Sequence, residues 1–99
     1  MTITKELDNK QLTIRLDGEL NTSTAPELES VLSSSLKGIT LLIFDFAKLI
    51  YISSAGLRIV LSTQKQMNKQ GRMIVRNCNE DVMDVFEMTG FSNILDFGD

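Results

Sequence analysis

Ninety-nine residues with a net charge of −3 suffice for one domain around one core, and the absence of histidine excludes histidine acid–base catalysis and histidine metal sites. No basic cluster exceeds Arg72 with Arg76, which excludes the positive field that nucleic acid or an anionic membrane surface requires. The single Cys78 cannot close an internal disulfide, no apolar run reaches membrane-span length, and Met1 to Glu6 lack a signal-peptide pattern, so the expectation is a single cytoplasmic domain over residues 1–99.

The first strand is predicted at residues 2–7, followed by a turn at Asp8-Asn9-Lys10. From Gln11 to Asp17 the pattern alternates, with Leu12, Ile14 and Leu16 on one side and Thr13 and Arg15 on the other, the period of a half-buried strand. Gly18 to Ser23 reads as a loop. Thr24-Ala25-Pro26-Glu27 then reads as a capping box with proline in the first turn of a helix, whose inner side is Leu28, Val31, Leu32 and Leu36. Lys37-Gly38 is a helix stop.

Ile39 to Phe46 is almost continuously apolar and predicts a strand buried on both faces. A connecting loop through Lys48 to Tyr51 leads to Ser53 and Ser54, at the mouth of a helix over residues 55–70 with Leu57, Val60, Leu61, Gln64 and Met67 inside. Arg72 to Arg76 is a short strand. Asn79 caps a third helix, with Glu80 and Asp81 in its first turn and Val82, Val85, Phe86 and Met88 as its buried side. Gly90 closes it, and Phe91 to Phe97 forms a last short strand or helical turn. The order β-β-α-β-α-β-α implies an α/β fold: a mixed, mostly parallel sheet with right-handed helical crossovers and an antiparallel first strand.

Ser53 and Ser54 carry the chemistry. The first amides of a helix lack intrahelical partners and, with the helix dipole, favour an anion. A serine there is either a cap, worth about 1 kcal/mol, or a place to put a phosphate. Serine catalysis is disfavoured: a nucleophile elbow wants glycine where Ile52 stands, and a histidine that the chain lacks. No glycine-rich nucleotide motif occurs, and the acidic residues are too scattered to hold a metal, so neither cofactor nor metal is expected. Gly56 could be small only to let the helix mouth pack on the sheet, and Arg58 reads as a solvated cation able to meet an acidic partner or a phosphate. Loops after neighbouring strands lie side by side in such sheets, which would bring Asn21 and Thr22 near Ser53 and Ser54.

Two segments, Leu16-Asp17-Gly18-Glu19-Leu20-Asn21-Thr22-Ser23-Thr24-Ala25-Pro26-Glu27-Leu28 and Phe44-Asp45-Phe46 leading into Tyr51-Ile52-Ser53-Ser54-Ala55-Gly56-Leu57, resemble a STAS domain of the stand-alone anti-sigma factor antagonist kind. The resemblance implies a mixed sheet of about four to five strands with helices largely on one side. It implies phosphorylation at Ser54, with Ser53 as a minor alternative, and a partner-binding surface of Asn21, Thr22, Ser53, Ser54, Gly56, Leu57 and Arg58. The implied partners are an anti-sigma factor serine kinase, which the unphosphorylated protein binds so that a sigma factor is freed, and a serine phosphatase that resets the switch. A constitutive scaffold or a subunit of a signalling or transport complex is the alternative. The family often carries Asp where this chain has Ser53 and Asn21, so two negative charges are missing beside the switch.

Overall fold

Leu12, Ile14 and Leu16 are all buried while Arg15 and Asp17 are exposed, so the predicted alternation sets one face of a strand against a core. In the computed structural model, which describes residues 1–98, that strand is β2 (Gln11–Leu20). It pairs antiparallel with β1 (Thr2–Asp8) and parallel with β3 (Leu41–Ile52), which pairs parallel with β4 (Arg72–Arg76). The four-stranded sheet has the order β1-β2-β3-β4. Helices α1 (Ala25–Ser35), α2 (Ser54–Gln70) and α3 (Glu80–Met88) connect or follow the parallel strands. A short 3-10 turn, Phe91–Asn93, and a bridge from Phe97 to Val75 end the described chain, so its tail is both helical turn and strand.

The buried hydrophobic side chains of all three helices join one cluster with Leu12, Ile14, Leu16, Leu42, Phe44, Phe46, Met73 and Val75 of the sheet. The helices therefore cover one face, as expected of a mixed sheet of this class. Phe46 stacks on Phe86 of α3 at a centroid distance of 6.5 Å, and Phe86 meets Phe97 edge-on at 5.4 Å. Ile43 and Ile74 are buried on the opposite face, which accounts for the apolar run Leu41 to Phe44 that opens β3. Met88, expected inside α3, is 87 % exposed, and only Val82 and Phe86 of that helix are fully buried.

Two strands run further than their patterns suggest. β2 continues through Gly18 to Leu20, and β3 continues through Lys48 to Ile52, where a loop was expected. The register gives the reason. Arg15 faces Asp45 but Asp17 faces Lys48, and Gly18 faces Leu49 but Glu19 faces Tyr51. β3 thus carries an extra residue at two places, and its inward residues Phe46, Leu49 and Ile52 fall three apart instead of two. Such spacing hides a strand from a period-of-two reading. Gly18, with φ +119, takes the backbone conformation that a side chain would resist at this irregularity.

Asp45 supports the first bulge. Its Oδ1 accepts from the Ala47 amide and from the Asn77 side chain, both at 3.0 Å, and its Oδ2 lies 3.6 Å from Arg15 Nε. Burial pushes the carboxyl pKa up, but those two hydrogen bonds and the charges of Arg15 and Arg76 outweigh it and hold the group below its usual value. A depressed carboxyl stabilises the fold above its unfolded pKa and loses that contribution as pH falls through the folded value. Asp45→Asn is therefore expected to be less stable than wild type by about 1 kcal/mol at neutral pH. The gap should close in acid, as read by urea denaturation across pH.

Candidate functional site

Leu20 and Ile52 are register partners at the ends of β2 and β3, and the Ser53 amide donates to the Leu20 carbonyl at 2.9 Å. The loop that begins at Asn21 and the helix mouth at Ser53 therefore emerge side by side from the same edge of the sheet, as expected of neighbouring parallel strands.

The first loop is closed by its own side chains. Asn21 Oδ1 accepts from the amides of Ser23 at 2.9 Å and Thr24 at 3.1 Å, and the Asn21 carbonyl accepts from Ala25 at 2.8 Å. Thr24 does not form the predicted capping box: its side chain makes no cap bond to α1. Its hydroxyl instead donates to the Glu19 carbonyl and accepts from the Asn21 amide, both at 2.8 Å. The loop had a stronger claim on that hydroxyl because the Glu19 carbonyl, at the end of β2, lies within its reach. Asn21 is consequently half-buried and internally engaged, whereas Thr22 is exposed. A neutral amide here accepts the same two backbone bonds that a carboxylate would, without adding charge.

The two serines divide the two roles that sequence left open. Ser53 is the N-cap of α2: its backbone is extended and its Oγ accepts from the Gly56 amide, at a long 3.5 Å. Ser54 is the first residue of the helix, is exposed, and its hydroxyl makes no hydrogen bond among the described residues. It stands beside first-turn amides that have no intrahelical partner. No acidic side chain lies in that first turn to oppose an added anion.

Gly56 and Leu57 are buried and shape the site from beneath rather than presenting a surface to a partner. A Cβ on Gly56 would fall 2.7 Å from Leu20 Cγ and 2.9 Å from Ile52 Cγ1, so glycine is what lets the helix mouth sit on the two strand ends. Arg58, one turn further, is exposed and joins no ion pair among the described residues. Of the seven residues named for the surface, Thr22, Ser54 and Arg58 are exposed, Asn21 and Ser53 half-buried, and Gly56 and Leu57 internal. Ile50 and Tyr51, passed over as loop, are exposed apolar residues on the approach to Ser53. Two consecutive bulky apolar residues, too hydrophobic for an ordinary connecting loop, are the signal that could have found them.

Among the described residues, no group of three His, Cys, Asp or Glu side chains is placed to hold a metal ion, and no helix is long and apolar enough to cross a membrane. Burial pushes the half-buried Cys78 thiol up to about 11, so at neutral pH it is a protonated side chain and not a thiolate nucleophile.

Residues 2–99 match the STAS domain family. The chain belongs to that family. The STAS domain is 36 % identical over 97 residues to BtrV of Bordetella bronchiseptica, a protein provisionally named an anti-sigma factor antagonist; the match covers 96 % of this chain and 84 % of BtrV. Its fold matches that of the anti-sigma factor antagonist SpoIIAA in its unphosphorylated form, with a TM-score of 0.85 at 24 % identity, over 99 % of this chain and 89 % of that one. The Bacillus cell fate determinant SpoIIAA in the phosphorylated form matches with a TM-score of 0.77 at 22 % identity, over 99 % and 92 %. Two motifs placed on the ends of β2 and β3 thus belong to a STAS domain whose α2 begins with one capping serine and one free serine.

The division between the serines has a direct consequence for stability. Ser53→Ala is expected to cost about 0.5–1 kcal/mol, at the lower end for a cap because the bond is long. Ser54→Ala should stay within about 0.5 kcal/mol, as for a surface change that breaks nothing. Urea denaturation of the two variants measures the difference.

Proposed function

We propose that this STAS domain is an anti-sigma factor antagonist whose binding is controlled by phosphorylation of Ser54. In this reading the unmodified protein docks, in the cytoplasm, on an anti-sigma factor that is also a serine kinase, and the sigma factor is freed. The kinase then transfers a phosphoryl group from ATP to Ser54 Oγ, the complex separates, and a serine phosphatase restores the hydroxyl. The domain is the substrate and the switch, not an enzyme.

The observation that carries the reading is the free hydroxyl of Ser54, exposed at the start of α2 beside a serine that already serves as the cap. Kinship with antagonists over nearly the whole chain supports the partner class. Phosphorylation adds roughly −1.5 to −2 charges. The helix mouth tolerates them because its dipole and free amides favour an anion, so the fold has no reason to change. A partner closed over Ser54 must desolvate a dianion. Losing about 3 kcal/mol there weakens binding more than about a hundredfold. The switch is local charge at a docking surface.

Incubation with the anti-sigma factor kinase of the same genome and labelled ATP tests the assignment. Wild type and Ser53→Ala are expected to take label and Ser54→Ala none; label retained in Ser54→Ala would remove Ser54 from the role. Ser54→Asp should bind that kinase at least about tenfold more weakly than wild type, since it carries part of the phosphate charge. Equal affinities, or a complex that survives full phosphorylation, would favour a constitutive scaffold instead.

A further inference from the structure

Arg58 stands in an unfavourable place. It is the only charged residue in the first eight of α2, near the positive end of the helix dipole, and it has neither an ion pair nor a side-chain hydrogen bond among the described residues. Glu29 of α1 lines the same 350 Å³ cavity between the two helices, yet the two side chains form no ion pair. Ser54 lies four residues earlier. Residues at i and i+4 share a helix face with Cβ atoms about 5–6 Å apart, and the favourable order places the anion on the N-terminal side. The guanidinium has the reach and the forked donors to take phosphate oxygens.

We infer that Arg58 is the intramolecular receptor for a phosphate on Ser54, a role that rests on the phosphorylation reading above but concerns a different residue. Before modification the cation is open to a partner. After modification it is turned onto the protein's own phosphate. The docking surface then gains a dianion and loses its nearest cation in one step, which sharpens the discrimination between the two forms. Pairing within α2 also leaves the sheet untouched, because both residues lie on exposed positions of one helix.

The test needs neither kinase nor partner. Phosphoserine is installed at position 54 during translation, in wild type and in Arg58→Ala, Arg58→Gln and Arg58→Lys, and the second ionisation of the phosphate is followed by phosphorus NMR. A Glu29→Gln background controls for the carboxylate across the cavity, and Glu19→Gln for the one at the end of β2, opposite Tyr51. The second dissociation constant is expected to fall about two- to fivefold in Arg58→Ala and Arg58→Gln, with partial recovery in Arg58→Lys. The difference should shrink in 1 M salt. An ionisation unchanged by all three substitutions would overturn the inference and leave the phosphate to the helix amides. A negative kinase-labelling result would instead count against Ser54 as the natural target, whatever this titration shows.

Discussion

The hydrogen bond from the Ser53 amide to the Leu20 carbonyl is the contact on which the site depends. It is made as the parallel pairing of β2 and β3 runs out, and it places the Asn21 loop beside the mouth of α2. Its position is set upstream, by two bulges that lengthen β3 relative to β2 until Ile52 stands opposite Leu20. Gly56 then lets the helix settle onto those same two side chains, where any Cβ would collide. Remove the register, and the two loops no longer form one surface.

Stability and the proposed switch rest on different groups within a few residues. Ser53, Gly56 and Leu57 hold the helix in place through a cap and burial, while Thr22, Ser54 and Arg58 stand in solvent. Because Ser54 Oγ makes no hydrogen bond among the described residues, changing its charge costs the fold little. A docking surface is far less forgiving, since a buried dianion without a partner is expensive. The same charge is thus cheap for the monomer and costly for a complex.

Much of this was legible in the residues. Leu12-Ile14-Leu16 declared β2, Ile39 to Phe46 declared the buried part of β3, Asn79 declared the cap of α3, and the alternation of elements declared a mostly parallel sheet. What escaped was wherever a local rule met a tertiary competitor. The Phe46, Leu49 and Ile52 spacing looked like a loop because bulges replace the period of two with steps of three. The Thr24 and Glu27 pair looked like a capping box, but the strand-end carbonyl of Glu19 took the hydroxyl. By residue type alone the two adjacent serines look equivalent, since either can cap; the extended backbone at Ser53 and the bond its hydroxyl accepts from the Gly56 amide separate them. The family resemblance pointed to Asn21, Thr22, Ser53, Ser54, Gly56, Leu57 and Arg58 as one surface. Helical spacing already put Leu57 inside, and the small Gly56 already allowed close packing, but the side chains that Gly56 meets, Leu20 and Ile52, come from two strands and could not be read from its own segment.

Amide chemical shifts of the unmodified protein compared with those of protein bearing phosphoserine at position 54 test most directly whether the added charge acts locally. The account predicts changes confined to the Asn21 to Thr24 loop and to Ser53 through Arg58, with the core resonances of Phe44, Phe46 and Phe86 unmoved. Shifts spread through β4 and α3 would contradict it, because they would mean that the phosphate reorganises the fold rather than its surface.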